Sequence, residues 1–410
     1  MQTSERMKVA VIGGGAAGFF AAIHAKINHP EATVILFEKT NKVLSKVKVS
    51  GGGRCNVTNG CSDVDELCQA YPRGGRRLKK LFHQFNTTDT QAWFNARGVS
   101  LYTQDDQRVF PVSDDSQTIV DCLQNEMRRL GVKLVHKAWV TQLVPVEGRW
   151  RLHFSSKEMK AATFDYVIVA SGGSPRVKGL AWLASLGHKI EIPVPSLFTF
   201  NMPDTSVTQL MGVAVENVIA EVQGTKLSAK GPFLITHWGM SGPAILKLSA
   251  FGARILHDLN YTFKVRINWA GEKNNELVRD RLKGIANSYP QKQLVNQRPF
   301  EVPRKLWTFL LDKYEIPAQK QWQELGKKWL NRLTNALTND VYDVNGTTTF
   351  KEEFVTCGGV SLDSIDLKTM QSRSCPNLYF AGEVLDIDGI TGGYNFQAAW
   401  TTGFIAGQLK

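Results

Sequence analysis

The stretch Val9-Ala10-Val11-Ile12-Gly13-Gly14-Gly15-Ala16-Ala17-Gly18 constrains this chain most tightly. Its apolar residues read as a buried strand, its glycines as a turn, and its alanines as the start of a helix. Gly13, Gly15 and Gly18 fit G-x-G-x-x-G. The first glycine permits the turn, the second lets a pyrophosphate approach the backbone, and the third lets the helix pack closely on the strand. Free N–H groups at the helix start then face the phosphates. A second apolar strand, Thr33–Phe37, ends at Glu38, twenty residues after Gly18. A carboxylate there can accept hydrogen bonds from both hydroxyls of an adenosine ribose. The pattern predicts a dinucleotide-binding βαβ unit over residues 8–38, with an ordinary αβ turn as the alternative.

At 410 residues the chain has room for two or three domains, at roughly 100–200 residues each. Apolar residues make up 43% and charged residues 21%, a globular balance rather than a disordered one. The formal net charge of +12 suits anionic partners such as phosphates, acidic metabolites, nucleic acid or an anionic membrane surface. The same balance is common in enzymes with no such partner. The six cysteines form no C-x-x-C, no zinc spacing and no disulfide framework, so idle thiols in a reducing cytosol and no metal are expected. Arg6 and Lys8 before the apolar stretch Val9–Ile23 imitate a signal peptide, but the glycine spacing and Glu38 argue for a folded unit. No run reaches the roughly 18 apolar residues of a membrane span. A soluble cytoplasmic protein without a membrane partner is the expectation.

Ser50-Gly51-Gly52-Gly53-Arg54-Cys55-Asn56-Val57-Thr58-Asn59 is the next informative stretch. Three successive glycines let a flat or anionic ligand approach the backbone, and Arg54 adds a forked donor. A flexible surface loop is the alternative. The run Tyr71–Lys80 holds five basic residues and reads as a solvated face. Thr88–Arg97 and Ser116–Leu130 have helical periodicity, and Val132–Val135 and Trp150–Phe154 read as strands. The stretch Asp165-Tyr166-Val167-Ile168-Val169-Ala170-Ser171-Gly172-Gly173-Ser174 reads as a strand running into a glycine-rich turn able to pass close over a dinucleotide.

After Pro193 and Pro195 the composition shifts to short alternating runs over Leu197–Tyr261, a β-rich segment that suggests a small barrel. Within it, Thr236-His237-Trp238-Gly239-Met240-Ser241-Gly242-Pro243 opens a helix over Ala244–Phe251. His237 is a candidate acid, base or substrate anchor, with a structural role as the alternative. Residues 273–337 read as three helices, Glu276–Ser288, Pro303–Tyr314 and Ala318–Leu337. Residues 273–330 hold twelve Lys/Arg against six Asp/Glu, so half the net charge lies there. Trp322, Leu325, Trp329 and Leu333 are expected to form an apolar stripe on the third helix. The chain then returns to α/β character. Leu378-Tyr379-Phe380-Ala381-Gly382-Glu383 reads as a buried strand ending at a carboxylate, and Gly392-Gly393-Tyr394-Asn395 starts a last helix. Such a carboxylate can bind a polyol hydroxyl, and the helix N-terminus can stabilise negative charge on a ring.

VIGGGAAG, SGGGRCNVTN, THWGMSGP and LYFAGEVLDIDGITGGYNFQAAW, in that order and across essentially the whole chain, resemble the signatures of the YhiN/BaiN-like family of FAD-dependent oxidoreductases. That family includes aminoacetone-oxidase-like flavoproteins. The resemblance implies an α/β fold: a glutathione-reductase-like, Rossmann-type FAD-binding domain with an inserted β-barrel plus helical domain. The expected division is 1–195 and 346–410 for the FAD domain, 196–272 for the barrel and 273–345 for the helical part. Carried over, Gly13, Gly15, Ala16, Ala17 and Gly18 contact the pyrophosphate, and Glu38 with Lys39 the adenosine. Lys46 and Ser50, Gly51, Gly52, Gly53, Arg54, Cys55 and Asn56 run beside the cofactor, as do Ser171 and Gly172. Gly382 and Glu383 meet the ribitol, and Gly392, Gly393, Tyr394 and Asn395 the flavin pyrimidine edge. His237 and Tyr394 are the candidate catalytic residues. The chain departs from the family at Leu44-Ser45-Lys46, where many members have Gly-Arg-Lys.

The leading expectation is a flavoenzyme that moves a hydride between a small-molecule substrate and non-covalent FAD. Only one dinucleotide fingerprint is present, so NAD(P)H, if it is the donor, binds transiently over the flavin. Two alternatives are a tRNA-modifying or otherwise RNA-binding flavoprotein and a non-catalytic flavin-binding redox sensor. The basic helices carry no RNA-binding motif and are interleaved with acidic residues, so no specific nucleic-acid binding is expected. Oligomeric state is not legible from the sequence.

Overall fold

The computed structural model describes residues 6–203, 205–348 and 355–410. It divides into two compact units, one of residues up to Ser196 together with Phe350–Lys410, the other Leu197–Thr349.

The first unit is built on a parallel sheet whose central strand, Lys8–Ile12, lies between Thr33–Phe37 and Tyr166–Val169. Lys133–Val135 extends it on one side and Leu378–Phe380 on the other, with Val167 in register with Leu378. Val9, Ala10 and Val11 are fully buried, as a strand covered on both faces requires. The helix Ala16–Asn28 packs against the last helix, Tyr394–Ala406. A Cβ at Gly403 would lie 2.8 Å from the Ala17 carbonyl oxygen, so glycine is what lets the two backbones approach. Phe20 anchors the contact, its ring centroid 4.7 Å from Trp93 and 5.3 Å from Trp400. The two ends of the sequence thus share one core. The helices Thr87–Asn95 and Ser116–Leu130 form where periodicity predicts them, each capped by a side chain, Asn86 and Asp115.

The second unit contains a seven-stranded sheet in the order Asp340–Asn345, Thr262–Asn268, Ala214–Val222, Ser228–Thr236, Gly239–Ser241, Thr199–Asn201, Thr347–Thr348. Its two outermost strands are consecutive in the chain, joined only by Gly346, so the sheet closes on itself as a barrel. The helix Pro243–Asp258 covers the sheet and runs seven residues beyond the expected end at Phe251. Gly252 lies inside it, where a Cβ would come within 2.7 Å of Leu227.

The helices Asn275–Ser288 and Arg304–Lys313 match expectation, but the third does not. Trp322–Glu324 is a single 3₁₀ turn, Leu325 is extended, and the helix is Lys327–Thr338 with Gly326 as its N-cap. The physical reason is competition for the backbone. Leu294 N–H donates to the Lys320 carbonyl, and Trp322 N–H donates to that of Lys292, so this segment pairs with 290–294 instead of coiling. Trp322 is fully buried and Trp329 half-buried, and they share no helical stripe. Asp340, also fully buried, accepts from Trp269 Nε1 at 2.8 Å and Lys313 Nζ at 2.6 Å, as well as from the hydroxyls of Tyr314 and Tyr342. That network ties the helices to the sheet and leaves no lone pair of the carboxylate idle.

Candidate active site

The glycine turn divides its three tasks as the fingerprint requires. Gly13 has φ +114°, and a Cβ there would lie 2.3 Å from the Ala170 carbonyl oxygen. A Cβ at Gly18 would lie 1.9 Å from the Gly13 carbonyl oxygen, so only glycine lets the helix start against the turn. Gly15, the N-cap of that helix, faces open space, which leaves its backbone accessible to a phosphate. Glu38 is buried beside the turn. Its Oε2 accepts from Gly14 N–H at 2.8 Å, and its Oε1 accepts from Thr40 N–H at 2.8 Å and Thr40 Oγ1 at 2.9 Å. Thr40 therefore fixes the carboxylate's orientation. Lys39 is exposed.

The segment after Thr33–Phe37 returns to the same turn. Leu44 N–H donates to the Gly14 carbonyl at 2.8 Å, and a short helix, Ser45–Val49, leads into the triple glycine. Gly51, Gly52, Gly53 and Cys55 all have positive φ, and Gly52 and Gly53 face open space. Arg54 is held over the Phe110 ring at 4.2 Å. Cys55 is buried, and burial pushes its thiol up to about 12, which makes it inert packing. Asn56, with its amide oriented to satisfy its neighbours, donates to the Thr58 carbonyl at 2.9 Å and accepts from Gly393 N–H at 2.9 Å.

The third part comes from the far end of the chain. Gly382 packs on the first helix, where a Cβ would lie 2.6 Å from Ala17 Cβ. The next residue, Glu383, receives Lys46 Nζ at 2.6 Å on Oε2 and Thr356 N–H at 3.0 Å on Oε1. Thr356 is 1% exposed, and its hydroxyl has no hydrogen-bond partner. An orphaned buried hydroxyl costs about 1–3 kcal/mol unless something pairs with it. It faces Gly173, where a Cβ would lie 2.5 Å from Thr356 Oγ1 and 2.9 Å from Glu383 Oε1.

The loop between Glu383 and the last helix is held from below. Arg73 makes a two-pronged ion pair with the fully buried Asp388, and Ser196 Oγ donates to Asp388 Oδ2 at 2.7 Å. Burial pushes the Asp388 carboxyl up, and the guanidinium opposes that shift. Arg73 thus leaves the solvated face expected of the run 71–80. The other four basic residues of the run are exposed, because the helix Gly75–Phe82 buries only Leu78, Leu81 and Phe82. Tyr71 OH donates to the Tyr394 carbonyl at 2.7 Å. Asn395 accepts from Gly389 N–H and donates to the Gly389 carbonyl, both at 2.9 Å, so its amide shapes the loop. Gly392 and Gly393 have positive φ, and a Cβ at Gly393 would lie 2.2 Å from the Thr58 carbonyl oxygen. Burial pushes the Tyr394 hydroxyl up to about 12, so it stays protonated at neutral pH.

One unit therefore gathers Gly13–Gly18, Glu38, Lys46, Ser50–Asn56, Ser171, Gly172, Gly382, Glu383 and Gly392–Asn395. Ser171 is exposed at the strand end, and Gly172 has open space around it. His237 belongs to the other unit, on an exposed turn with its ring 4.3 Å from Trp238. The sequence reading missed Thr40, Arg73, Thr356 and Asp388. The signal for Thr356 was present in its place just before Cys357-Gly358-Gly359; the other three depend on contacts distant in sequence or on rotamer. The open glycines, the anchored Glu38 carboxylate and the orphaned Thr356 hydroxyl fit a bound dinucleotide. Among the described residues, no cluster of His, Cys, Asp and Glu could hold a metal, and no helix is long and apolar enough to cross a membrane.

Known proteins are similar to this chain in sequence or in fold. A 3-dehydro-bile acid delta(4,6)-reductase of Clostridium scindens is 28% identical over 409 residues, covering 98% of each chain. A ribosomal RNA dihydrouridine synthase of Escherichia coli is 29% identical over 417 residues, again 98% of each chain. The 3-ketosteroid delta1-dehydrogenase of Sterolibacterium denitrificans shares the fold, with a TM-score of 0.53 at 12% identity over 97% of this chain and 98% of that one. The model of the HI0933-like protein Rossmann domain matches residues 7–409. The chain belongs to the HI0933-like Rossmann-domain family and is a FAD-dependent oxidoreductase.

Proposed function

We propose that this flavoenzyme reduces a carbon–carbon double bond conjugated to a carbonyl in a small molecule, with NAD(P)H as the transient donor. The observation that carries the reading is a bond shared by the two relatives that match over 98% of this chain. The delta(4,6) double bonds of a 3-dehydro bile acid are conjugated to its C3 ketone. The bond saturated in dihydrouridine is conjugated to the C4 carbonyl of uracil. Such a bond would take hydride at its end remote from the carbonyl, β in a simple enone or in uracil and δ for the delta(6) bond of the dienone, and a proton at its nearer end.

FAD would be held by the glycine turn and Gly15, with Glu38 on the adenosine ribose, Glu383 on the ribitol and the start of the last helix at the pyrimidine edge. Bound there, it supplies the hydride. Lys46 offsets the charge of Glu383 beside the pyrophosphate. Thr356 offers its idle hydroxyl to the cofactor. The N–H groups at Gly393–Asn395 favour negative charge on the ring. Tyr394, protonated at neutral pH, donates the proton to the substrate.

The same bond chemistry on a uracil in RNA is the second reading, favoured by the relative named as a ribosomal RNA dihydrouridine synthase and by the basic helices over 273–330. The test is anaerobic. Protein reduced with NADH or NADPH is mixed with a 3-oxo-4-ene steroid acid, cyclohexenone or a ribosomal RNA fragment, and the return of oxidised-flavin absorbance is followed. Reoxidation by the enones supports the first reading, and reoxidation by RNA alone supports the second. Reoxidation by oxygen alone overturns both.

A further inference from the structure

We propose that a second ligand site, for an organic anion with an apolar body, lies between the 41–49 segment and the helix Ser116–Leu130. A cavity of about 920 Å³ opens there, within the roughly 300–1,000 Å³ range of small-molecule sites. Of the residues placed beside the cofactor, only Lys46 is among its walls; Glu38 and Gly13–Gly15, which carry the adenosine and pyrophosphate contacts, are not.

Three features define the ligand. The floor is apolar: Phe19 and Met127 are buried in the core, and Val120 and Leu134 join them. The rim is basic, with Lys42, Lys46, Lys48, Arg128 and His136 and no acidic side chain. Among the described residues, two of these have an acidic partner outside the cavity: Lys46 with Glu383 at 2.6 Å, and Lys48 with Asp115 at 3.4 Å in an exposed pair. Arg128 donates only to the neutral Asn125 and Gln124 amides. Cations gathered over a low-dielectric floor repel one another and favour a bound anion. Gln117, Gln124 and Asn41 supply neutral amides that can orient its polar groups. A free inorganic anion would leave the floor unused, and an uncharged hydrocarbon would leave the rim uncompensated. The ligand therefore joins a carboxylate or phosphate to a hydrocarbon or ring body.

The probe is 8-anilinonaphthalene-1-sulfonate, titrated by fluorescence into the FAD-loaded protein and displaced by laurate, dodecyl phosphate or 1-dodecanol below their micellar or solubility limits. The site predicts one saturable probe, displaced by laurate or dodecyl phosphate at least tenfold more readily than by dodecanol. Whichever anion displaces at the lower concentration identifies the headgroup. Lys42→Glu with Arg128→Glu, both exposed and outside the cofactor contacts, should weaken the probe at least tenfold and leave flavin content unchanged. Equal displacement by dodecanol, or unchanged affinity in a double variant that retains its flavin, overturns the proposal. Should the double variant fail to fold, the displacement series on the unaltered protein decides alone.

Discussion

Lys46 Nζ lies 2.6 Å from Glu383 Oε2, across 337 residues of sequence. The pair joins the segment after the second strand to the turn that follows the strand Leu378–Phe380, and both partners border the proposed cofactor contacts. Lys46→Met should leave Glu383 uncompensated beside a pyrophosphate and weaken FAD binding by roughly 1.5–3 kcal/mol. A titration of apoprotein with FAD reads this, and Lys46→Arg should retain most of the affinity.

Glu38→Ala should also weaken FAD by roughly 1.5–3 kcal/mol, because it removes charge-assisted bonds to the ribose hydroxyls. It strands Gly14 N–H as well, so FMN affinity measured beside FAD separates the two effects. A loss confined to FAD identifies the ribose contact.

Arg73→Met leaves Asp388 buried and unpaired, which should destabilise the fold by about 3–5 kcal/mol. Adding Asp388→Leu removes the stranded charge and should recover most of that loss. Urea midpoints of the two variants, measured with FAD in excess, check the order.

His24 is buried against Phe20 and Phe404, and burial pushes its ring from 6.5 down to about 3. The unfolded chain therefore binds a proton that the folded one refuses. Its contribution is complete above pH 6.5 and is lost as pH falls towards 3, at up to about 1.4 kcal/mol per pH unit. His24→Phe should flatten this part of the acid limb in denaturation curves recorded across the window.

Tyr394→Phe removes the proposed proton donor while keeping the ring that packs 5.9 Å from Tyr71. Turnover of an enone should fall by roughly 10²–10⁴. Reduction of the flavin by NAD(P)H should be unchanged, and stopped-flow measurement of the two half-reactions separates them.

The sequence by itself determined the elements whose signals are local. The glycine turn, Glu38 after an apolar strand, the triple glycine and the double glycine before the last helix each depend on a few neighbouring residues. Backbone sterics fix their conformation wherever they occur: Gly13, Gly393 and Gly18 have no room for a Cβ. The meeting of the two chain ends was expected from the resemblance to the family and from the return to α/β character after the helical segment, not from any local signal.

Tertiary structure decided what depends on partners distant in sequence. Nothing local distinguishes Arg73 from Arg76 or Arg77, and only the arrival of Asp388 takes it out of solvent. Asn395 carries its amide to Gly389 because the loop closes over it. Residues 318–326 have the periodicity of a helix, yet their backbone groups serve the segment 290–294, so the helix begins only after Gly326. Thr356 looks like any strand threonine until Glu383 takes its N–H and burial leaves its hydroxyl idle. The reason is the same in each case. Propensity and periodicity act over a turn or two of chain, whereas burial and the pairing of polar groups are set by whichever segment packs alongside.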